Sequence, residues 1–113
     1  MDAVKRMTLW LSCVYPAPFP VRVRWTKDCS PEHLGECVPR PDKGYFDIRL
    51  RPGLGFEIAI ETLIHEWAHA RTLPGRVEGE HAHSPRFWLD VGEIQRGWEE
   101  RGCVVAKRIW LPR

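Results

Sequence analysis

Residues 65–69 read His-Glu-Trp-Ala-His, a pattern whose residue types and spacing could bind and use a metal ion. On a helix, residues four apart point to the same side, so His65 and His69 could both bind one ion. Glu66 lies about 100° further round the helix and could approach a water molecule on that ion without binding the ion itself. The spacing therefore predicts a hydrolytic zinc site, with His65 and His69 as ligands and Glu66 as the general base.

A catalytic zinc ion usually takes three protein ligands and leaves a fourth position for water. The remaining histidines are His33, His81 and His83. His33 lies far upstream in a segment typical of a loop, whereas the other two follow the motif across a loop long enough to fold back. His83 directly precedes the start of the next predicted helix, which would hold it firmly, so we expect it to be the third ligand. His81 is the alternative ligand, and it could otherwise support a ligand or contact the substrate. Glu78 and Glu80 are less favoured as carboxylate ligands.

The motif must lie on a helix for this geometry to hold, and the sequence predicts one over residues 56–73. Glu57 in the first turn and Arg71 in the last suit the helix dipole, and Pro74-Gly75 would end the helix. Apolar residues cover most of its circumference, namely Ala59, Ile60, Leu63, Ile64, Trp67, Ala70 and Leu73. This distribution is typical of a buried helix, in which two histidines and a glutamate need a reason for their burial.

A second long helix is predicted to begin at Ser84-Pro85, with serine as the N-cap and proline in the first helical position. Apolar residues then recur at i, i+4, i+7 and i+11, as Phe87, Val91, Ile94 and Trp98. The helix is expected to end near Arg101-Gly102, where glycine is a favourable cap.

In the N-terminal half, the residue pattern predicts a helix followed by two strands. Residues 3–14 place apolar side chains at helical spacing, although alternation inside this segment leaves a strand as the alternative. Residues 21–25 and 45–51 alternate apolar and charged side chains, which favours strands exposed on one face. Residues 26–43 are rich in proline, glycine and charge and predict a long loop.

These elements fit one domain spanning residues 1–113, since the 113 residues contain no repeat or linker and have ordinary globular composition, 43% apolar and 28% charged. Residues 104–111 could add a short final strand. We expect an α+β fold, in which a small, mostly antiparallel sheet packs with the two long helices.

The sequence contains no apolar run long enough to cross a membrane and no convincing signal peptide, so a cytoplasmic location is expected. The four cysteines, Cys13, Cys29, Cys37 and Cys103, include no Cys-x-x-Cys pair, which argues against a zinc ribbon. A disulfide between Cys29 and Cys37 is geometrically possible, but reduced thiols are expected in an intracellular protein.

The net charge is +2, too small to argue for nucleic acid as a partner. The strand arginines Arg22, Arg24, Arg49 and Arg51 could form a positive face towards DNA or an acidic substrate. We favour a solvated outer sheet face instead.

The segment Glu61-Thr62-Leu63-Ile64-His65-Glu66-Trp67-Ala68-His69-Ala70, followed by His83-Ser84-Pro85-Arg86-Phe87-Trp88, resembles the SprT-like and YgjP-like (WLM-related) zinc metallopeptidases. These families pair His-Glu-x-x-His with a downstream His-(Gly/Ser)-x-x-Phe. The resemblance covers about 30 residues and implies a zincin-like fold, with the zinc held between the two long helices. It implies one zinc ion per chain, held by His65, His69 and His83, with Glu66 as the base that activates water for peptide-bond hydrolysis.

The resemblance also bears on partners and on the alternatives. A protein or peptide is the expected substrate, whereas DNA has weaker support because no segment resembles the zinc ribbon of many SprT-like proteins. The oxyanion needs a donor besides the metal, for which His81, Tyr45 and Arg86 are candidates. The alternatives are a non-catalytic DNA- or protein-binding module with a structural zinc, in which Cys29, Cys37 or a carboxylate closes the site, and a metal hydrolase with a non-peptide substrate. The sequence does not define the oligomeric state.

Overall fold

The computed structural model describes residues 3–102, so the predicted final strand over residues 104–111 lies outside the described residues. Three α-helices and three β-strands, with two short helical turns, follow one another in this order: α1 (Ala3–Val14), β1 (Val21–Trp25), β2 (Gly35–Arg40), β3 (Tyr45–Leu50), α2 (Phe56–Thr72), a 3-10 turn (Leu73–Gly75), α3 (Pro85–Gly97) and a π-helical turn (Trp98–Gly102). The expected α+β class is confirmed. Within residues 3–102, no helix is both long and apolar enough to cross a membrane.

The N-terminal segment is helical, so the helix prediction is confirmed and the strand alternative is wrong. Val4, Met7 and Leu11 are its buried residues, and their spacing places them on one face of α1, towards the core. The chain that follows α1 is tied to the motif helix, because Trp67 Nε1 donates a hydrogen bond of 2.8 Å to the main-chain oxygen of Tyr15.

The sheet has the order β1-β3-β2, with β3 in the centre. β2 and β3 form an antiparallel hairpin, in which Val38 faces Asp47, whereas β1 runs parallel to β3, with Val23 facing Ile48. The expectation of a mostly antiparallel sheet is therefore corrected to a mixed sheet. The parallel pair arises because the chain crosses from β1 to the far edge, forms β2 there, and returns through the hairpin into the gap between them.

The strand β2 lies inside the segment that was predicted as a long loop, and that prediction is wrong. Pro39 faces Phe46 in the register, but the amide of Phe46 donates to Pro20 on the β1 side, at 2.9 Å. A backbone amide at position 39 would thus point away from β3. Proline therefore costs the sheet no hydrogen bond at this position, as is usual for proline in an edge strand. Gly35 is needed for packing, since a Cβ there would lie 2.7 Å from Cγ2 of Thr62. The residues that made the segment resemble a loop are therefore those that an edge strand pressed against α2 requires.

The motif helix α2 is buried, as its composition predicted, and it packs against both β2 and β3 of the sheet and against α1 and α3. The next helix begins as predicted, because Oγ of the N-cap Ser84 accepts a hydrogen bond from the amide of Phe87 at 3.5 Å and Pro85 follows in the first turn. The regular α-helix ends at Gly97 rather than near Gly102, and the last turn widens into the π-helical turn. A side chain at position 97 would collide with the ring of Tyr15.

The outer face of the sheet carries an acidic residue at its centre. Asp47 is only 2% exposed, and its carboxylate accepts hydrogen bonds from Nε and Nη2 of Arg24, both at 3.1 Å, and from Nε of Arg49 at 3.2 Å. Arg51 is also engaged, since its Nη2 donates to the main-chain oxygen of Ser30 at 2.6 Å. Of the four strand arginines that could form a positive face, two are thus paired with Asp47 and one is bonded to a loop.

Asp47→Asn should lower the melting temperature at pH 7 by several degrees, since a domain of this size shifts by roughly 4–8 °C for each kcal/mol. Burial alone would raise the pKa of Asp47, but the hydrogen bonds from Arg24 and Arg49 hold it below its usual value. The carboxylate therefore contributes its full stability above about pH 3.9, the ordinary pKa of an aspartate in the unfolded chain. This stability is lost as the pH falls through the lower pKa that Asp47 has in the folded protein. Thermal denaturation as a function of pH should show the difference from wild type shrinking below about pH 4, whereas exposed Asp42→Asn should have little effect. A constant difference down to pH 2 would contradict this interpretation.

Candidate metal centre

Three histidine side chains converge on the C-terminal half of the motif helix. His65 and His69 lie one turn apart on α2, and His83 reaches them from the residue before the N-cap of α3. Nε2 of His83 lies 3.1 Å from Nε2 of His69 and 3.3 Å from Nε2 of His65. One ligand atom from each of these three histidines lies within 4.8 Å of the other two. The structure thus brings together the three residues that the sequence predicted as ligands.

The three imidazoles fit a tetrahedral metal ion. Zinc–nitrogen bonds of about 2.0–2.1 Å at the tetrahedral angle place two ligand nitrogens about 3.3 Å apart, close to both measured separations. Burial lowers the pKa of His65, with the nearby His83 adding to the effect. Burial, together with the other two rings, lowers the pKa of His69 to about 4. These two rings are therefore neutral at neutral pH, which is the form that binds metals.

The ring of Phe87 positions all three imidazoles. Phe87 is fully buried, and its centroid lies 4.3 Å from that of His69 and 5.0 Å from those of His65 and His83. Nδ1 of His69 is buried without a hydrogen-bond partner among residues 3–102, so the stacked Phe87 ring, rather than a hydrogen bond from the described residues, sets its orientation. Because the Ser84 cap fixes the start of α3, it fixes Phe87 and His83 together.

His81 does not join the group of three. Its Nδ1 accepts a hydrogen bond of 3.0 Å from the main-chain amide of His83. The side chain of His81 therefore supports the backbone of a candidate ligand, and the structure places His83, not His81, beside the motif.

Glu66 lies beside this group but is not one of its members. The residue is only 8% exposed and accepts a hydrogen bond from the main-chain amide of Cys37 in β2. Burial raises the pKa of Glu66 to about 8, the charge of Glu36 adds to the rise, and the amide of Cys37 opposes it. Because the carboxyl group is held in a poorly solvated position next to three imidazoles, it is a strong proton acceptor when ionised.

The histidines and Glu66 line an open cleft of about 460 Å³. One wall comes from α2 and the loop before α3, and the facing wall comes from β2 and the residues before it, with lining residues His33, Gly35, Glu36, Cys37 and Val38. This second wall was missed at the sequence level. The sequence feature that could have indicated it is the turn Pro41-Asp42-Lys43-Gly44 directly before β3. Such a turn is typical of a hairpin and therefore implies that a partner strand precedes it in the chain.

None of the three expected oxyanion donors lines the cleft, and His81 instead accepts the hydrogen bond from the amide of His83. Tyr45 lines a separate apolar cleft with Phe19 and Phe46, at the hairpin between β2 and β3. Arg86 lies outside the lining, and its Nη2 donates to the main-chain oxygen of Thr72 at 2.8 Å and to Oε1 of Glu80 at 3.0 Å. Arg86 thus braces the loop that carries His83.

The remaining candidate ligands are not members of the histidine group, although Cys37 lines the same cleft. Among residues 3–102, neither Glu78, Glu80, Cys29 nor Cys37 belongs to that group. The thiols of Cys29 and Cys37 are both free, and Cys37 packs against the hydrophobic core.

No protein-family model, no curated protein and no solved structure matches this chain. The resemblance to SprT-like and YgjP-like proteins therefore rests on the two motif segments alone, whereas the possible metal centre rests on the positions of His65, His69 and His83.

Proposed function

We propose that this protein is a zinc-dependent metallopeptidase with a zincin-like catalytic core, related to the SprT-like and YgjP-like enzymes. The observation that carries the proposal is the convergence of three histidines beside buried Glu66 in an open cleft, with Nε2 of His83 3.1 Å from that of His69 and 3.3 Å from that of His65. Three imidazoles with room for a further ligand are typical of catalytic zinc rather than structural zinc. The cytoplasm is the proposed location.

Each residue has a defined role in this proposal. His65, His69 and His83 would hold the zinc, which when bound lowers the pKa of water and polarises a carbonyl group. Glu66 takes the proton of the attacking water molecule on its carboxylate and passes it to the amine that leaves. Cys37 holds the Glu66 carboxyl in place through its main-chain amide, so β2 orients the base.

The position of β2 supports a protein or peptide substrate. The amide of Arg51 donates to the oxygen of Leu34 at 2.9 Å, so the alternation of an antiparallel pair directs the main-chain groups of Gly35 and Cys37 away from β3. The amide of Cys37 is taken by Glu66, but an extended peptide could pair with the main-chain groups of Gly35 and the main-chain oxygen of Cys37, next to the histidines in the cleft. A non-peptide substrate would make no use of such an edge.

The non-catalytic alternative requires a closed site. Among residues 3–102 no cysteine or carboxylate stands with the three histidines as a fourth ligand. A purely structural site also gives no reason to bury the charge-bearing carboxyl of Glu66 beside the ligands.

Metal removal tests the proposed function. Treatment with a chelator should abolish hydrolysis of an unstructured protein such as casein, and about one equivalent of zinc per chain should restore it. Elemental analysis measures the zinc content, and a fluorescence assay of the labelled casein measures its hydrolysis. Hydrolysis that persists in the metal-free protein would contradict the proposal.

A further inference from the structure

His33 is held at the mouth of the cleft by an ordered turn. Its amide donates to the main-chain oxygen of Ser30 at 3.0 Å, and the amide of Ser30 donates to Oε1 of Glu36 at 2.7 Å. The same Ser30 oxygen accepts the hydrogen bond from Arg51. These contacts fix the loop on β2 and β3, although its composition predicted no regular structure.

His33 lies on the β2 side of the cleft. It lines the cleft that contains His65, Glu66 and His83, and it also lines a neighbouring cleft on the other side of His65 and Glu66. His33 stands on the shared rim, while His83 occupies the wall formed by α2 and the loop before α3. His33 is not one of the three grouped histidines, so its position differs from that of a ligand.

The ring of His33 lies near a carboxylate. Its Nδ1 lies 3.7 Å from Oε1 of Glu36, and its side chain is 62% exposed, so a substrate can reach the ring. A histidine ring offers an N–H donor at Nε2 in the neutral tautomer that carries its proton there, as well as in the imidazolium cation. This is the kind of donor that peptide hydrolysis needs where negative charge develops on the carbonyl oxygen.

We propose that His33 is a further catalytic residue, which donates a hydrogen bond from Nε2 to the substrate carbonyl oxygen as that oxygen becomes negative, with Glu36 as its positioning residue. This inference rests on the proposed peptidase function. It replaces His81, Tyr45 and Arg86, none of which lines the cleft, and it makes the β2 wall contribute directly to catalysis.

The test compares His33→Ala, His33→Gln and the control Lys27→Ala, an exposed residue of the same loop, in the zinc-loaded full chain. Loss of one such donor costs about 100-fold or more in kcat. We expect His33→Ala to show this loss with little change in KM or zinc content, His33→Gln to recover part of the rate, and Lys27→Ala to match wild type. Binding of a phosphinic peptide, which mimics the charged tetrahedral state, should weaken by a similar factor in His33→Ala when measured by calorimetry.

Two outcomes separate this inference from the proposed function. Full activity and unchanged phosphinic-peptide affinity in His33→Ala, with zinc-dependent hydrolysis by wild type, would overturn the role of His33 and leave the peptidase proposal standing. Loss of zinc from His33→Ala would also overturn it, since His33 would then act on the metal site. A wild-type protein that binds zinc but hydrolyses no protein or peptide would overturn both proposals.

Discussion

Glu66→Gln should abolish peptide hydrolysis while the protein keeps its zinc. The amide preserves the size of the side chain but cannot accept the proton of the attacking water molecule, and general acid–base catalysis contributes typically 10²–10⁴-fold to rate. The loss should appear in kcat, because Glu66 stands beside the histidine group without belonging to it. Hydrolysis of a fluorogenic peptide and elemental analysis of the same sample measure both effects.

Glu57→Gln is the matched control for this variant, because Glu57 lies in the first turn of the same helix and is exposed. It should retain wild-type rates and zinc content. Retention of full activity by Glu66→Gln would remove Glu66 from the mechanism. Loss of zinc from that variant would instead make the carboxylate a ligand.

His83→Ala should weaken zinc binding by more than about a hundredfold, whereas His81→Ala should weaken it by less than about tenfold. Structural zinc sites gain about 10–16 kcal/mol from four ligands, so one ligand accounts for several kcal/mol. His81 only supports the main chain of His83 through the 3.0 Å hydrogen bond to its amide. Competition with a chromophoric chelator gives both affinities.

Comparison of these two loop variants distinguishes the ligands without any assumption about the reaction. Both substitutions remove an imidazole from the same exposed loop, so a difference between them reports on the role of each ring. If His81→Ala loses zinc and His83→Ala retains it, the ligand set proposed here is wrong.

The helices and the candidate ligands could be predicted because their signals are local. The i and i+4 spacing of His65 and His69 needs only a helix, and the Ser84-Pro85 start places His83 at a defined distance from it. Apolar residues around α2 predicted its burial, which is what gives Glu66 its unusual environment. In each case the residues that determine the structure lie within a few turns of one another.

The second wall of the site could not be predicted, because its signals are long-range. Gly35 and Pro39 favour loops locally, and only the close approach of Thr62 and the free edge of the sheet make them suitable for a strand. Since β2 was not expected, neither the parallel pairing of β1 with β3 nor the approach of His33 to the motif followed from the sequence.

For side chains that can bond to several groups, the actual partners could not be predicted either. Arg86 binds Thr72 and Glu80, and Asp47 neutralises arginines from two strands that are adjacent only after folding. Residue type alone does not distinguish an arginine that contacts substrate from one that braces a loop.

The zinc X-ray absorption spectrum of the purified, zinc-loaded protein tests the central claim most directly. An open site formed by His65, His69 and His83 predicts about three imidazole nitrogens and one water oxygen, all near 2.0–2.1 Å. His83→Ala should remove one imidazole contribution from any zinc that remains bound. A sulfur ligand near 2.3 Å would contradict the account, because it would mean a closed structural site, and so would a protein that takes up no zinc.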